Sequence, residues 1–222
     1  MKINFSYKQF FVPNFAKRIS FMIPAVLLMG IFLSILIEIG WGTDPASFMN
    51  LNISYALGLS LGNTQIIVYS IMLIFTVIFG ANKIGFGTLA NMLLIGYTAD
   101  FSCWIWTKIG FSDFIQKSNI SVKCAVFAVA IFLFVIVAAI YMNAQMGVAP
   151  YDALPEIISN KFTKIPYFVI RIIYDFSAVG IGIAASRFSK DGLQGSIIGS
   201  IAISALLGPA VQLISKPLKK IL

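Results

Sequence analysis

A chain of 222 residues that is 59% hydrophobic and 11% charged, with a mean hydropathy of +0.93, is too apolar for a soluble domain, where about 25% of residues are charged. A net charge of +8 would suggest nucleic acid in a soluble protein, but the basic residues here gather at the ends of apolar runs, as at Lys17-Arg18 and at Lys216, Lys219 and Lys220. That placement suits anionic headgroups on the cytoplasmic face of a membrane and argues against a nucleic-acid partner.

A bilayer core takes about 20 apolar residues per helix, within a range of ~17–25. The first uncharged run, from Ile19 to Ile37, follows a polar and basic start and has no small-residue cleavage pattern behind it. It is therefore expected to stay as the first span rather than be removed as a signal peptide. Glu38 ends it at headgroup level. The pattern then breaks at "GWGTDPASFMNLN", which begins at Gly40, and the stretch from Pro45 to Leu61 is too short and polar for an ordinary span. Apolar runs resume from Thr64 to Phe79, from Gly87 to Thr107 around Asp100, and from Cys124 to Met142. A second break, "YMNAQMGVAPYDALPEIISNK", begins at Tyr141 and contains the short stretch from Pro150 to Phe162. The last spans run from Ile165 to Ser186, carrying Arg171 and Asp175, and from Gly192 to Ser215 without charge.

The fold class expected is an all-α polytopic transmembrane bundle forming a single membrane domain over residues 1–222. It has six spans and two short broken or re-entrant helices, each opened by a proline suited to a first helical turn. Irregular backbone at membrane depth is tolerated only inside protein or beside water. With six spans and the N-terminus inside, Lys108, Lys117, Lys123, Arg187 and Lys190 lie outside. If both short helices crossed, giving eight spans as 4+4, Lys83 would replace the first three. The positive-inside rule leans to eight. The cost of placing Asp152 and Glu156 on a short span leans to six.

Gly42-Thr43-Asp44-Pro45 and Gly147-Val148-Ala149-Pro150 stand 105 residues apart, Gly87-Thr88 and Gly195-Ser196 stand 108 apart, and "LIGYTAD" and "LLGPAVQ" stand 112 apart. Landmarks in the same order predict a duplication, with repeat A at about 18–107 and repeat B at about 121–215. Three spans per repeat would invert the second copy. Inverted repeats with paired broken helices and a midplane site are characteristic of secondary transporters. The segments "GVAPYDALPEIIS", "RIIYD", "GSIIG" and "LLGPAVQ", together with "GTDPASFMNLNISYALGLSLGNTQIIVYSIMLIF" and "GFGTLANMLLIGYTAD", resemble the YczE/YyaS/YitT group of bacterial integral membrane proteins. The resemblance runs from about Ile19 to Leu213 and implies membrane location and repeat architecture rather than an activity. Gly195-Ser196 departs from the family's more usual Gly-Thr, and either hydroxyl can serve.

Charges inside spans are costly and point to function. Arg171 and Asp175 are four residues apart, share a helix face and can pair. They serve either as a self-neutralising structural pair or in handling a solute or a proton. Asp100 lies alone in its span, as a proton-coupling group or a hydrogen-bonded structural acid. Asp44 and Asp152, beside Pro45 and Pro150, either cap helix starts or line the entrance to a site. Asn50 and Asn52 at the first short helix, Asn91, Gln194 and Gln212 within or beside spans, and Tyr151 and Tyr167 near the breaks add polar and aromatic groups. Histidine is absent, Cys103 and Cys124 lack ligand-like spacing, and no catalytic or ATP-binding motif is present. No metal, cofactor or enzymatic role is therefore expected. The reading is a small-solute transporter or permease of the bacterial plasma membrane, with both termini cytoplasmic and an anionic or zwitterionic solute between the repeats. The alternative is an accessory or ligand-capturing protein that acts with a membrane partner, and a homo-oligomer is compatible with either.

Overall fold

The structure, a computed structural model, describes residues 7–218 and is all-helical over them. Its helices are α1 (Phe15–Ile39), α2 (Pro45–Leu57), α3 (Leu61–Gly80), α4 (Phe86–Lys108), α5 (Phe111–Lys117), α6 (Ile120–Asn143), α7 (Pro150–Lys161), α8 (Tyr167–Ser186) and α9 (Ile197–Leu218). Five of them, α1, α3, α6, α8 and α9, are long and apolar enough to cross a membrane. The sixth expected span, α4, has 23 residues, but Thr88, Asn91, Thr98 and Asp100 make it more polar. The short helices begin at the residues the prolines announce, Pro45 and Pro150. Asp44 closes α2 by accepting the Ser47 backbone N–H at 3.1 Å.

Contacts between named side chains give the direction of each helix. Phe15 and Phe86, at the starts of α1 and α4, meet with ring centroids 5.3 Å apart. Near the other end, Trp106 of α4 donates its indole N–H to Ser34 of α1 at 2.7 Å. So α1 and α4 run parallel. Asp100, late in α4, accepts the backbone N–H groups of Leu61 and Gly62 at the start of α3, while Gln65 donates to the Asn91 carbonyl. So α3 runs antiparallel to both, and it starts at the face where α1 ends. The chain between them, α2 included, therefore enters and leaves at one face.

The second half follows the same logic. Arg18 at the start of α1 donates to the Ala144 carbonyl just after α6 at 2.9 Å, and Trp41 just after α1 packs on Phe127 early in α6 at 5.6 Å. Hence α6 is antiparallel to α1. Asn143 donates to Ser215 near the end of α9 at 2.7 Å, so α6 and α9 run parallel. The link from α8 to α9 lies at the face where α1 ends, because Gln194 exchanges hydrogen bonds with Asn52 of α2 at 2.9 and 3.0 Å. Helix α8 therefore starts at the face where α6 ends, and α7 does not cross. Six long helices traverse the bundle and two short ones reach partway. The 4+4 arrangement favoured by counting basic residues is not the one formed.

The two breaks dock crosswise. Gly42 has φ +118°, and a Cβ there would lie 2.6 Å from the Ser200 backbone nitrogen at the start of α9; the Thr43 N–H donates to Ser200 Oγ at 3.2 Å. Gly147 has φ +98°, and a Cβ there would strike Gly85 and Thr88 at the start of α4. Beside it, the Gly87 N–H donates to the Met146 carbonyl at 2.6 Å and the Val148 N–H to the Lys83 carbonyl at 3.1 Å. Both positions need the left-handed backbone region open to glycine and leave no room for a side chain.

One buried apolar cluster joins α1, α4, α6 and α9 through Val26, Leu33, Ile95, Phe134, Ala138 and Val211. A smaller one, of Ala46, Met49, Tyr69, Met92, Tyr151 and Ala178, seats α2 and α7 against α3 and α8. Outward, α3 exposes Ile67, Ile71, Ile74 and Ile78. At spacings of three and four these form a stripe, the side such a helix turns to lipid.

Candidate functional site

A cavity of about 300 Å³ lies between the two clusters. All the long helices and both short ones contribute to its wall. Met29, Ile95, Phe134, Leu207 and Val211 make it largely apolar, and the polar groups converge from the breaks and from α3, α8 and α9. Concave, mainly apolar pockets with a few convergent polar groups are the usual form of small-molecule sites.

The charged centre is built from α8 outward. Arg171 Nε donates to Asp175 at 3.0 Å, the helical pair expected from their spacing, and Arg171 Nη1 donates to Asp152 of α7 at 2.8 Å. Asp175 also accepts the Tyr151 hydroxyl at 2.8 Å and the Ser204 hydroxyl at 3.0 Å. The guanidinium lies over the Tyr151 ring, 5.4 Å from its centre. Asp175 is 7% exposed, so its charge is tolerable only because three donors, one of them the Arg171 cation, surround it. Asp152 does not cap α7; its carboxylate turns to Arg171 instead.

Of the other residues singled out in the sequence, Asp44 and Pro45 line the cavity. Asp44 does both things expected of it, since it caps α2 and faces the cavity. Pro150 is buried in the first turn of α7, between the cavity-lining Ala149 and Tyr151, without lining the cavity itself. Asp100 stands apart. Its two oxygens are taken up by the first backbone N–H groups of α3, a structural clamp between helices, and it does not line the cavity. Asp100 and Asp175 therefore do not share the cavity.

Sequence reasoning passed over Gln65, Tyr69 and Ser204. Gln65 and Tyr69 are four apart in an apolar run, so they share a face of α3, and that spacing was a usable signal. Ser204 carried none, because its value comes from the height at which α9 passes Asp175. Among the described residues, no group of three or more His, Cys, Asp or Glu could hold a metal ion.

The chain is similar to two Bacillus subtilis proteins. It is 26% identical over 145 residues to the uncharacterized membrane protein YczE, covering 65% of this chain and 64% of that protein. It is 23% identical over 149 residues to the uncharacterized protein YyaS, covering 67% of this chain and 72% of that one. No solved structure matches. This helical membrane protein, matched over residues 16–216 by the model described as a family of unknown function, DUF6198, belongs to that family.

Proposed function

We propose that the chain is a multi-pass permease of the bacterial plasma membrane that moves a small solute through the central cavity. The observation that carries the reading is the convergence of both broken segments, at Asp44-Pro45 and Ala149-Tyr151, on one chamber lined by every long helix. Paired discontinuities meeting at a central chamber, between halves of opposite direction, are the usual build of secondary transporters. In this proposal residues 18–107 and 121–215 are inverted repeats. The antiparallel α1 and α6, and the crosswise docking of the breaks, support that relation.

Reconstitution tests the activity. Purified protein in sealed liposomes is expected to exchange at least one labelled metabolite from a panel of amines, amino acids and carboxylates, with no added energy source beyond ion gradients. Solutes that shift the melting temperature of the protein but never cross the vesicle wall would replace the permease with the ligand-capturing accessory protein.

Both termini are placed in the cytoplasm, as the basic ends of α1 and α9 favour. With Cys103 and Cys124 changed to Ser, Gln116→Cys in α5 is expected to react with an impermeant thiol reagent on intact cells. Asn82→Cys, between α3 and α4, is expected to react only after lysis; both positions are exposed. The reverse pattern would put both termini outside.

A further inference from the structure

We infer that the Asp44 side of the cavity binds an organic ammonium group, so that the solute carries a positive charge. This rests on the cavity being the solute site proposed above, and it names the class of solute.

The charges in the chamber do not balance. Asp44, Asp152 and Asp175 face it, against the single guanidinium of Arg171. Arg171 is already committed, to Asp175 through Nε and to Asp152 through Nη1, with the Tyr151 ring beneath it. No comparable free cation is left for an anionic solute. Asp175 is satisfied by its three donors, and Asp152 has its ion pair at a half-buried position. Asp44 has no basic partner among the described residues. It is held by Ser47 in its own helical turn. A half-buried carboxylate on a largely apolar cavity calls for a proton or a counter-charge, and the partial positive charge of the α2 N-terminus supplies only about half of one.

A second group points to the same place. Tyr69 is 5% exposed and lines the cavity, yet its hydroxyl makes no hydrogen bond among the described residues. The oxygen itself is not sealed off, so a ligand or water can partner it. Its ring packs in the cluster that contains Ala46, two residues from Asp44. One turn earlier on the same face, Gln65 completes this wall.

A carboxylate, an unpartnered hydroxyl and an aromatic face together suit an alkylammonium. The N–H groups donate to the oxygens, the ring attracts the cation, and Met29, Ile95 and Phe134 accept the hydrocarbon body. A bare metal ion fits poorly, because a hard cation takes about six or more oxygen ligands, and no acidic cluster of that kind exists among the described residues.

The test uses the full-length protein in lipid nanodiscs and two probes of similar size and opposite charge, n-butylammonium chloride and sodium butyrate, with sodium chloride at equal ionic strength. Calorimetric titration is expected to show saturable binding of n-butylammonium alone. Asp44→Asn should weaken it at least about tenfold, since a charged contact becomes a neutral one. Asn caps a helix as well as Asp does, so α2 keeps its closure in this variant. Tyr69→Phe, which removes only the hydroxyl, should weaken binding by a smaller factor. Saturable binding of butyrate in place of butylammonium, an equal response to sodium chloride, or wild-type binding by Asp44→Asn would each overturn the inference. Because binding is measured at equilibrium, its failure is separable from that of the permease. Butylammonium bound but never transported sinks only the permease, and carboxylate flux without ammonium binding sinks only this inference.

Discussion

Arg171→Leu is expected to lower the stability of the protein by about 3–5 kcal/mol, the cost of leaving a buried charge without its partner. The loss falls on Asp175, which is 7% exposed and would keep its negative charge with only the Tyr151 and Ser204 hydroxyls around it. Asp152 is less affected, because its side chain is 37% exposed and can turn to water. Adding Asp175→Asn should therefore recover much of the loss. The amide keeps an acceptor for Tyr151 and offers a donor to Ser204, and no uncompensated charge remains. The measurement is the fraction surviving as a single species in size-exclusion chromatography after graded heating in detergent. The pair Lys83–Glu156 provides the contrast, since Glu156 is 46% exposed. Its removal should cost no more than about 1 kcal/mol. If Arg171→Leu and the Lys83 variant lose the same amount, the central network is not holding the bundle.

Gly147→Ala is expected to cost about 2–4 kcal/mol, from ~1–2 kcal/mol for a side chain at left-handed φ and ~1–3 kcal/mol for overpacking. At φ +98° the new methyl would meet the Gly85 backbone and lie 2.7 Å from Thr88 Oγ1, atoms held by the first turn of α4. Gly40→Ala separates the two contributions. Gly40 has φ +73°, but an added methyl there would find nothing within 4 Å, so only the conformational cost applies. Comparing the unfolding midpoints of the two variants isolates the clash. If Gly147→Ala is no worse than Gly40→Ala, the break after α6 yields to the added methyl and is not rigidly docked.

Long-range apolar runs and prolines made most of the helices legible. The expected span from Ile19 to Ile37 became Phe15–Ile39, and Cys124 to Met142 became Ile120–Asn143. The ends slipped outward because polar residues at the interface still extend a helix. Helix α5 was not anticipated, since seven residues with one buried position, Ile115, carry no usable period. Helix direction was legible from the length and polarity of the two short stretches, though not from charge. Counting basic residues favoured eight crossings, whereas six follow from contacts such as Phe15 with Phe86, which no count records.

The site divided in a similar way. Arg171 with Asp175 could be read from spacing along one helix. The third member, Asp152, depends on how closely α7 approaches α8. Of the two roles open to Asp100, the structure shows the hydrogen-bonded acid; its partners, the backbone N–H groups of Leu61 and Gly62, have no signature in the order of side chains.

The crosswise docking of the breaks also fixes an order of events during synthesis. Thr43 reaches Ser200 across 157 residues of chain, so this contact of the first break can form only after the start of α9 has been made. The second break faces the opposite situation, because its partner at Gly85 and Gly87 is made some sixty residues before it. The later half can thus seat itself on the earlier one as it emerges. The earlier half makes its crosswise contact only later, and the wall of the chamber is complete only once α9 is in place.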